Sequence, residues 1–336
     1  MKNFLFAKNT LLLAAVLSLV APACKNTTKT PPPEKNDDSK VSLYTLESTR
    51  TDPGRSTEMA AKFLGTAFDA AGVKLDDNKT TVYFQGKEPS VTFAQDLATG
   101  DFSFSKSTER YTNGKFVPEL PDPQAAQKMA MEFLRQYNLA PLQGNELKMV
   151  HAGGLRAAPA GAPNQVKDIF RTIYYGRLLD SLPVVGPGSR IVVQIGDKGE
   201  IVGATRRWRE VVKANGKRTL KVSEIKNEKE ATEEAGRVIA TEFGANAKFA
   251  INKVQMAYFD QGTAYIQPVY AVEATVTMVI DNKETVIPYL CTIEAMKSSP
   301  ERLTIRNLDP RAQETLQSSK DGFVPDNIKI KRREDE

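Results

Sequence analysis

The sequence predicts an α+β protein of two or three modules, each with one helix packed on an antiparallel sheet. Three helix signals recur along the 336 residues, and each is followed by about three short runs with strand-like alternation. The composition, with 40% hydrophobic and 26% charged residues, is that of a globular protein rather than a disordered or multi-span membrane protein. The predicted modules cover residues 46–120, 121–215 and 216–300, and residues 301–336 form a C-terminal tail.

The helix predictions depend on apolar spacing and on residues that favour helix ends. The first helix is predicted to begin near Ser56 and to end by Gly72. The second opens at Asp122-Pro123, where Asp can cap the helix and Pro suits its first turn. The third opens near Asn227 and ends at Gly244. The alternating runs behind each helix predict the strands of its sheet.

The N-terminus has the features of an export signal. A basic start and a short apolar run, too short to span a bilayer as a helix, predict a signal peptide over residues 1–23. The following Ala21-Pro22-Ala23-Cys24 resembles a bacterial lipobox, which implies lipid attachment to Cys24 and anchoring to the cell membrane or the outer membrane. Residues 24–45 are predicted to form a polar, disordered tether. The alternative is plain secretion, with Ala21 and Ala23 forming a cleavage site.

Scarce residues exclude several kinds of catalytic site. The chain has two Cys and one His, so a zinc site of paired histidines and an HExxH metallopeptidase are excluded. A nucleophilic site would depend on His151, which precedes Gly153-Gly154 and is expected at a strand end. Cys291 lies in a strand-like run and is predicted to be a buried thiol. We expect no catalytic residue, no metal and no cofactor.

A basic segment, Arg206-Arg207-Trp208-Arg209, is the candidate contact for a partner. On a strand, Arg207 and Arg209 point to one side, whereas Arg206 and Trp208 point to the other. This alternation breaks up the basic patch that nucleic-acid binding would need, so we expect no nucleic-acid partner. Trp is enriched at the centres of protein interfaces, so Trp208, Arg207 and Arg209 are predicted to contact a protein partner.

The most distinctive segment spans residues 170–203. It contains an aromatic strand, the turn Leu182-Pro183-Val184-Val185-Gly186, a β-branched strand, and a hairpin at Asp197-Lys198-Gly199-Glu200-Ile201. A second stretch, residues 257–274, has a strand, a turn at Asp260-Gln261-Gly262 and another strand. Both resemble PepSY modules and the related propeptide modules of thermolysin-type and fungalysin-type peptidases. The resemblance covers residues 122–296, about half of the chain.

The resemblance implies a binding function rather than catalysis. Only about forty residues follow Met296, so we expect a free-standing inhibitor or regulator instead of a proenzyme. The leading hypothesis is an envelope-anchored, non-enzymatic lipoprotein that binds a peptidase or the extracytoplasmic domain of a sensor. An exposed sheet edge could add a strand to an extended partner segment. The alternative is a secreted or anchored hydrolase that uses two carboxylates, as glycosidases do, although one Trp offers few aromatic platforms for sugar.

Overall fold

The computed structural model describes residues 38–113, 115–158, 166–244, 247–280, 283–308 and 310–321. These ranges contain 14 strands and five α-helices. The strands are β1 Asp38–Thr45, β2 Val73–Leu75, β3 Thr81–Gln85, β4 Thr92–Asp96, β5 Phe102–Ser105, β6 Leu147–Ala157, β7 Lys167–Leu179, β8 Leu182–Val185, β9 Arg190–Ile195, β10 Ile201–Arg207, β11 Lys217–Lys221, β12 Lys248–Asp260, β13 Tyr265–Ile280 and β14 Lys283–Glu294. The helices are α1 Pro53–Leu64, α2 Glu109–Thr112, α3 Pro123–Gln136, α4 Glu228–Phe243 and α5 Pro310–Asp321.

The three predicted helices are present and begin where their capping residues indicate. The Asp122 carboxylate accepts hydrogen bonds from the backbone N–H groups of Gln124 and Ala125 at the start of α3. Asn227 and Glu230 form a reciprocal capping box at the start of α4. The first helix starts three residues before the predicted Ser56, because Asp52 is its cap. These caps satisfy N–H groups that the first helical turn leaves without partners.

The predicted division into modules of one helix on one sheet is wrong. The strands join in a single 14-stranded sheet with the order β11-β1-β13-β12-β8-β7-β9-β10-β5-β4-β3-β2, while β6 pairs with β7 and β14 pairs with β13. The two ranges predicted as PepSY-like modules are joined directly by a parallel pair, in which Val184 of β8 lies opposite Tyr258 of β12. Hydrogen bonding across the predicted boundaries therefore makes one continuous sheet.

The predictions for the two ends of the chain are also corrected by the structure. Strand β1 lies within residues 24–45, which were predicted to be a tether, and it pairs with β11 and β13. The predicted tail, residues 301–336, contains helix α5. The signal peptide, residues 24–37 and residues 322–336 lie outside the described residues. Within the described ranges, none of the helices is both long enough and apolar enough to cross a bilayer.

Helices cover both faces of the sheet. Helix α3 packs against Ile173 of β7 on one face, and Arg311 of α5 lies over the ring of Tyr174 on the opposite face. On β13, the cluster around α4 includes Val272, whereas the cluster around α5 includes Ala271. Successive residues of a strand point to opposite faces, so these comparisons place α5 across the sheet from α3 and α4. The core is therefore divided into layers above and below the strands.

Candidate functional site

The predicted partner segment lies where β10 ends, near the middle of the sheet. Four arginines meet there and are called the arginine cluster: Arg177 of β7, with Arg206, Arg207 and Arg209 of the segment itself. Around them lie the loop between β8 and β9 and the turn between β12 and β13. The cluster thus contacts elements from both PepSY-like stretches of the chain.

Trp208 lies beneath this cluster and not at its surface. Only 1% of the residue is exposed, and the guanidinium of Arg177 lies 4.7 Å from its ring centroid. The Trp208 backbone N–H donates a hydrogen bond of 3.2 Å to Oδ1 of Asp101. A partner cannot reach the buried ring in the folded chain, which corrects the predicted role of Trp208 as a direct contact. Its position instead supports the residues on either side.

Arg177 forms the buried base of the cluster. Its side chain is 0% exposed, and its Nη2 and Nε lie 2.6 and 2.7 Å from Oε2 of Glu146. Nη1 donates a 2.8 Å hydrogen bond to the backbone carbonyl of Arg209. A buried charge needs such partners, because an unpaired guanidinium would lose its hydration without compensation. The Glu146–Arg177 pair therefore fixes the backbone of Arg209.

Arg206 is a second internal contact of the cluster. Its Nε donates to the carbonyl of Leu139 at 3.0 Å, and its Nη1 donates to the carbonyl of Trp208 at 2.7 Å. Burial lowers the pKa of Arg206 below its ordinary value, although nearby Glu210 and Asp101 oppose the change. The first bond joins the end of β10 to the chain that follows α3, and the second holds the residue after β10, so Arg206 has a structural role.

Arg207 and Arg209 form the outer part of the cluster. Arg207 is exposed and its Nη1 lies 3.5 Å from the carbonyl of Pro187, while half-buried Arg209 donates to the carbonyl of Thr263. The predicted alternation is confirmed, since Arg206 and Trp208 make the inward contacts. The carbonyl oxygens neutralise no charge, but Asp101 interacts electrostatically with both arginines, so the outer pair presents part of its positive charge at the surface. Guanidinium groups of this kind bind carboxylates with paired hydrogen bonds.

Two aspartates lie close to these arginines. Burial, together with the nearby charge of Asp260, raises the pKa of Asp101 to about 6, although Arg209, Arg207 and Arg206 oppose the change. Asp260 is 2% exposed and accepts hydrogen bonds from the Ser189 hydroxyl at 2.7 Å and the Gly262 N–H at 2.9 Å. Both carboxyl groups are therefore shielded from solvent, and they differ in their donors: Asp101 accepts from the Trp208 N–H, whereas Asp260 accepts two hydrogen bonds.

Glycine is required beside Asp260. A Cβ atom added to Gly188 would lie 2.2–2.4 Å from the Asp260 carboxyl group. The loop between β8 and β9 can approach Asp260 closely only because residue 188 lacks a side chain. The Gly188 N–H also donates a 3.0 Å hydrogen bond to the Asp260 carbonyl. The loop that contacts Arg207 is thus fixed to the end of β12.

The remaining predicted residues lie away from the cluster. His151 lies inside β6 rather than at a strand end, with its Nδ1 3.4 Å from Oε2 of Glu314. Cys291 is 0% exposed, which confirms the predicted buried thiol, and burial raises its pKa to about 12. Cys24 lies outside the described residues. Among the residues that the structure describes, no group of three or more His, Cys, Asp or Glu side chains could hold a metal ion.

The sequence analysis missed the residues that build the cluster from other strands. Glu146, Arg177, Asp101 and Asp260 lie 31 to 107 positions from their partners along the chain. One weak signal was present: Arg177 interrupts the aromatic and apolar run of residues 173–179 that ends β7, a pattern that indicates a buried charge with a partner. Nothing in the spacing identifies that partner.

Comparison with known proteins shows a distant structural likeness. No family model and no curated protein matches the chain. The crystal structure of an uncharacterized protein from Eubacterium rectale ATCC 33656 is similar, with a TM-score of 0.41 and 8% sequence identity. The likeness covers 80% of this chain and 87% of the other.

Proposed function

We propose that this protein is a non-enzymatic, lipid-anchored binding protein that holds an acidic segment of a protein partner against Arg207 and Arg209. One observation carries the proposal: these two arginines present positive charge at the surface, while their backbone is fixed by the buried Arg177–Glu146 pair and Trp208. A peptidase or a sensor's extracytoplasmic domain remains the expected partner, as the resemblance to PepSY modules implies.

Rigid support makes the outer arginines suitable for binding. An arginine that is already ordered loses less side-chain entropy when a partner docks, so more of the contact energy contributes to affinity. Arg is also enriched among the residues that dominate protein interfaces. Arg207 and Arg209 contact backbone carbonyls of two different loops, which restricts both side chains before any partner is present. A carboxylate between the two would be held by charge and by hydrogen bonds.

Two edges of the sheet, β11 and β14, favour this side-chain surface over the strand addition that the sequence suggested. Lys217, Arg218 and Lys221 occupy edge strand β11, and lysine on an edge opposes pairing with another chain. Part of the outer edge of β14 is already occupied, since the Thr292 N–H donates to Arg306 and the Leu308 N–H donates to Leu290. Further along that edge, Pro288 has no N–H to offer.

The binding proposal is tested by comparing two double variants in pull-downs from envelope extract. Arg207→Gln with Arg209→Gln removes the outer charge. Arg156→Gln with Arg237→Gln removes the same charge from exposed positions on β6 and α4. We expect the native chain and the control to retain one discrete protein, and the first variant to lose it. Equal capture by both variants would exclude Arg207 and Arg209 as the contact.

The anchor is tested separately with labelled palmitate. In cells that export the chain, label should enter the native protein and be absent from Cys24→Ser, because only the thiol at position 24 is proposed to carry lipid. Two acyl chains bind a membrane stably, whereas one binds only marginally. Label that persists in Cys24→Ser would contradict the anchor, whatever the pull-down shows.

A hydrolase that uses two carboxylates is the second candidate, and Asp101 and Asp260 favour it. A carboxyl group with a pKa of about 6 near a second carboxyl that accepts two hydrogen bonds resembles the arrangement of an acid and its partner carboxylate. Hydrolysis of a panel of aryl glycosides that is lost in Asp101→Asn, with native folding retained, would support this candidate. If the native chain hydrolyses none of these glycosides, the result would favour the binding proposal over the hydrolase.

A further inference from the structure

One edge of the sheet is strongly basic and lies at the start of the folded chain. Strand β11 ends the sheet and pairs with β1, the first strand described. Five exposed basic side chains lie on these two strands and on the turn before β11, and together they are called the basic edge: Lys40, Lys213, Lys217, Arg218 and Lys221. The first strand that the structure describes, β1, therefore belongs to a mainly basic surface.

Ion pairs neutralise only part of this charge. Nζ of Lys217 lies 2.5 Å from Oδ1 of Asp180, and Nη1 of Arg218 lies 2.8 Å from Oε1 of Glu224. Both pairs are partly exposed and share the edge with the exposed Lys40, Lys213 and Lys221. Glu224 also interacts with Lys221, and Asp38 lies opposite Lys221 in the register of β1 and β11, so Lys40 and Lys213 carry most of the remaining positive charge of the basic edge.

The position of the basic edge relative to Cys24 identifies what it would meet. Fourteen residues, 24–37, separate the proposed lipid attachment from the first residue of β1. A chain of that length reaches about 50 Å when fully extended. A lipid on Cys24 would therefore hold β1 and β11 near the surface of the membrane.

We propose that the basic edge docks on anionic phospholipid headgroups of the membrane to which the chain is anchored. This inference rests on the proposed lipid on Cys24, which supplies the proximity. Lysine and arginine near an anionic leaflet are each attracted to its surface, and the attraction falls within a Debye length. Docking would orient the sheet, with β11 against the bilayer and the remaining strands extending away from it.

Vesicle binding by the unlipidated chain tests the edge without the anchor. Residues 24–336 with Cys24→Ser are mixed with phosphatidylcholine vesicles, alone or with about one third phosphatidylglycerol, and the bound fraction is measured by sedimentation. Lys40→Gln, Lys213→Gln and Lys221→Gln are combined as the test variant. Lys74→Gln, Lys87→Gln and Lys128→Gln remove the same charge from exposed positions elsewhere and form the control.

We expect binding to the anionic vesicles only, a decrease at high salt, and at least about a tenfold loss of affinity in the test variant but not in the control. Equal losses in both variants, or equal binding to neutral vesicles, would overturn the proposal. If the lysines serve only to prevent strand pairing, the test variant would self-associate with unchanged vesicle binding, which would also overturn it. The palmitate experiment decides the anchor independently, so failure of one proposal is distinguishable from failure of the other.

Discussion

The guanidinium of Arg177 on β7 lies 4.7 Å from the ring centroid of Trp208, directly after β10. A cation over an indole face is attracted by the negative charge of the ring face, and the attraction strengthens where water is excluded. Glu146 completes the arrangement by pairing with the same guanidinium. These three side chains connect the interior of the sheet to the backbone that carries Arg209.

Replacement of Arg177 tests this arrangement through stability. Arg177→Met leaves Glu146, whose side chain is 15% exposed, without its partner and removes the hydrogen bond to the Arg209 carbonyl. We expect the free energy of unfolding to fall by about 3–5 kcal/mol, measured by urea denaturation with an unchanged slope. The control is Lys229→Gln, which breaks an exposed pair with Glu233 and should cost less than about 0.5 kcal/mol. A loss for Arg177→Met as small as that of the control would contradict the role of the buried pair.

Asp101 makes the stability depend on pH. Because burial raises its pKa to about 6, the folded state holds the proton more tightly than the unfolded state, whose Asp pKa is about 4. Protonated Asp101 therefore stabilises the folded chain fully below about pH 4, and this stabilisation is lost as pH rises through about 6. Asp101→Asn removes the titration and keeps an oxygen to accept from the Trp208 N–H. Relative to the native chain, we expect the variant to gain up to about 2 kcal/mol between pH 4 and pH 7.

Unfolding of both chains across this pH range provides the measurement. The matched control is Asp77→Asn, at an exposed carboxyl in the loop between β2 and β3. The gain of Asp101→Asn between pH 4 and pH 7 should exceed any change that this control shows. A difference for Asp101→Asn that stays constant across the range would show that the carboxyl of Asp101 titrates normally.

Asp180 is expected to give the stability the opposite dependence on pH. Burial opposes its ionisation, but hydrogen bonds from Lys217, Tyr44 and Tyr258 outweigh that effect and lower the pKa of the carboxyl. The stabilisation is present above the ordinary Asp pKa of about 4 and is lost as pH falls further. Residue 180 has a φ of 49° in the turn between β7 and β8, which Asn tolerates. Asp180→Asn should therefore cost about 1–2 kcal/mol at pH 7 and progressively less below pH 4. A loss that is the same at pH 3 and pH 7 would contradict an ionic role.

Cys291 should be unreactive in the folded chain. Its thiol is 0% exposed and its pKa is raised to about 12, so little thiolate forms near neutral pH. With Cys24→Ser, Cys291 is the only thiol, and a disulfide reagent should label it slowly in buffer and rapidly in urea. Labelling in buffer at the rate of a free thiol would show that β14 opens readily in the native state.

Local features of the fold could be predicted from the sequence, whereas the assembly of the sheet could not. Asp122 and Asn227 identified their helices because a cap and a following apolar stripe are properties of neighbouring residues. The joining of Val184 to Tyr258 involves strands 74 positions apart, and alternation does not indicate which strand pairs with which. The alternating residues of β1 were assigned to the tether for a related reason, since a polar stretch precedes them.

The surface residues of the candidate site could be predicted from the sequence, but the buried residues that support them could not. The alternation in Arg206–Arg209 correctly separated the inward residues from the outward ones. The burial of Trp208 depends on Arg177 and Asp101, which come from other strands. A lone Trp beside arginines gives the same sequence pattern whether it lies at an interface or in a core. The local sequence therefore could not distinguish the two positions.

Photo-crosslinking in cells tests the central claim most directly. A photoreactive amino acid at Thr205, two positions before Arg207 on the same face of β10, is compared with the same amino acid at exposed Gln85 on β3. The account predicts one discrete crosslinked protein from position 205, lost when Arg207→Gln and Arg209→Gln are added, and none of that protein from position 85. Identical crosslinks from both positions, or a crosslink at 205 that survives the loss of both arginines, would contradict it.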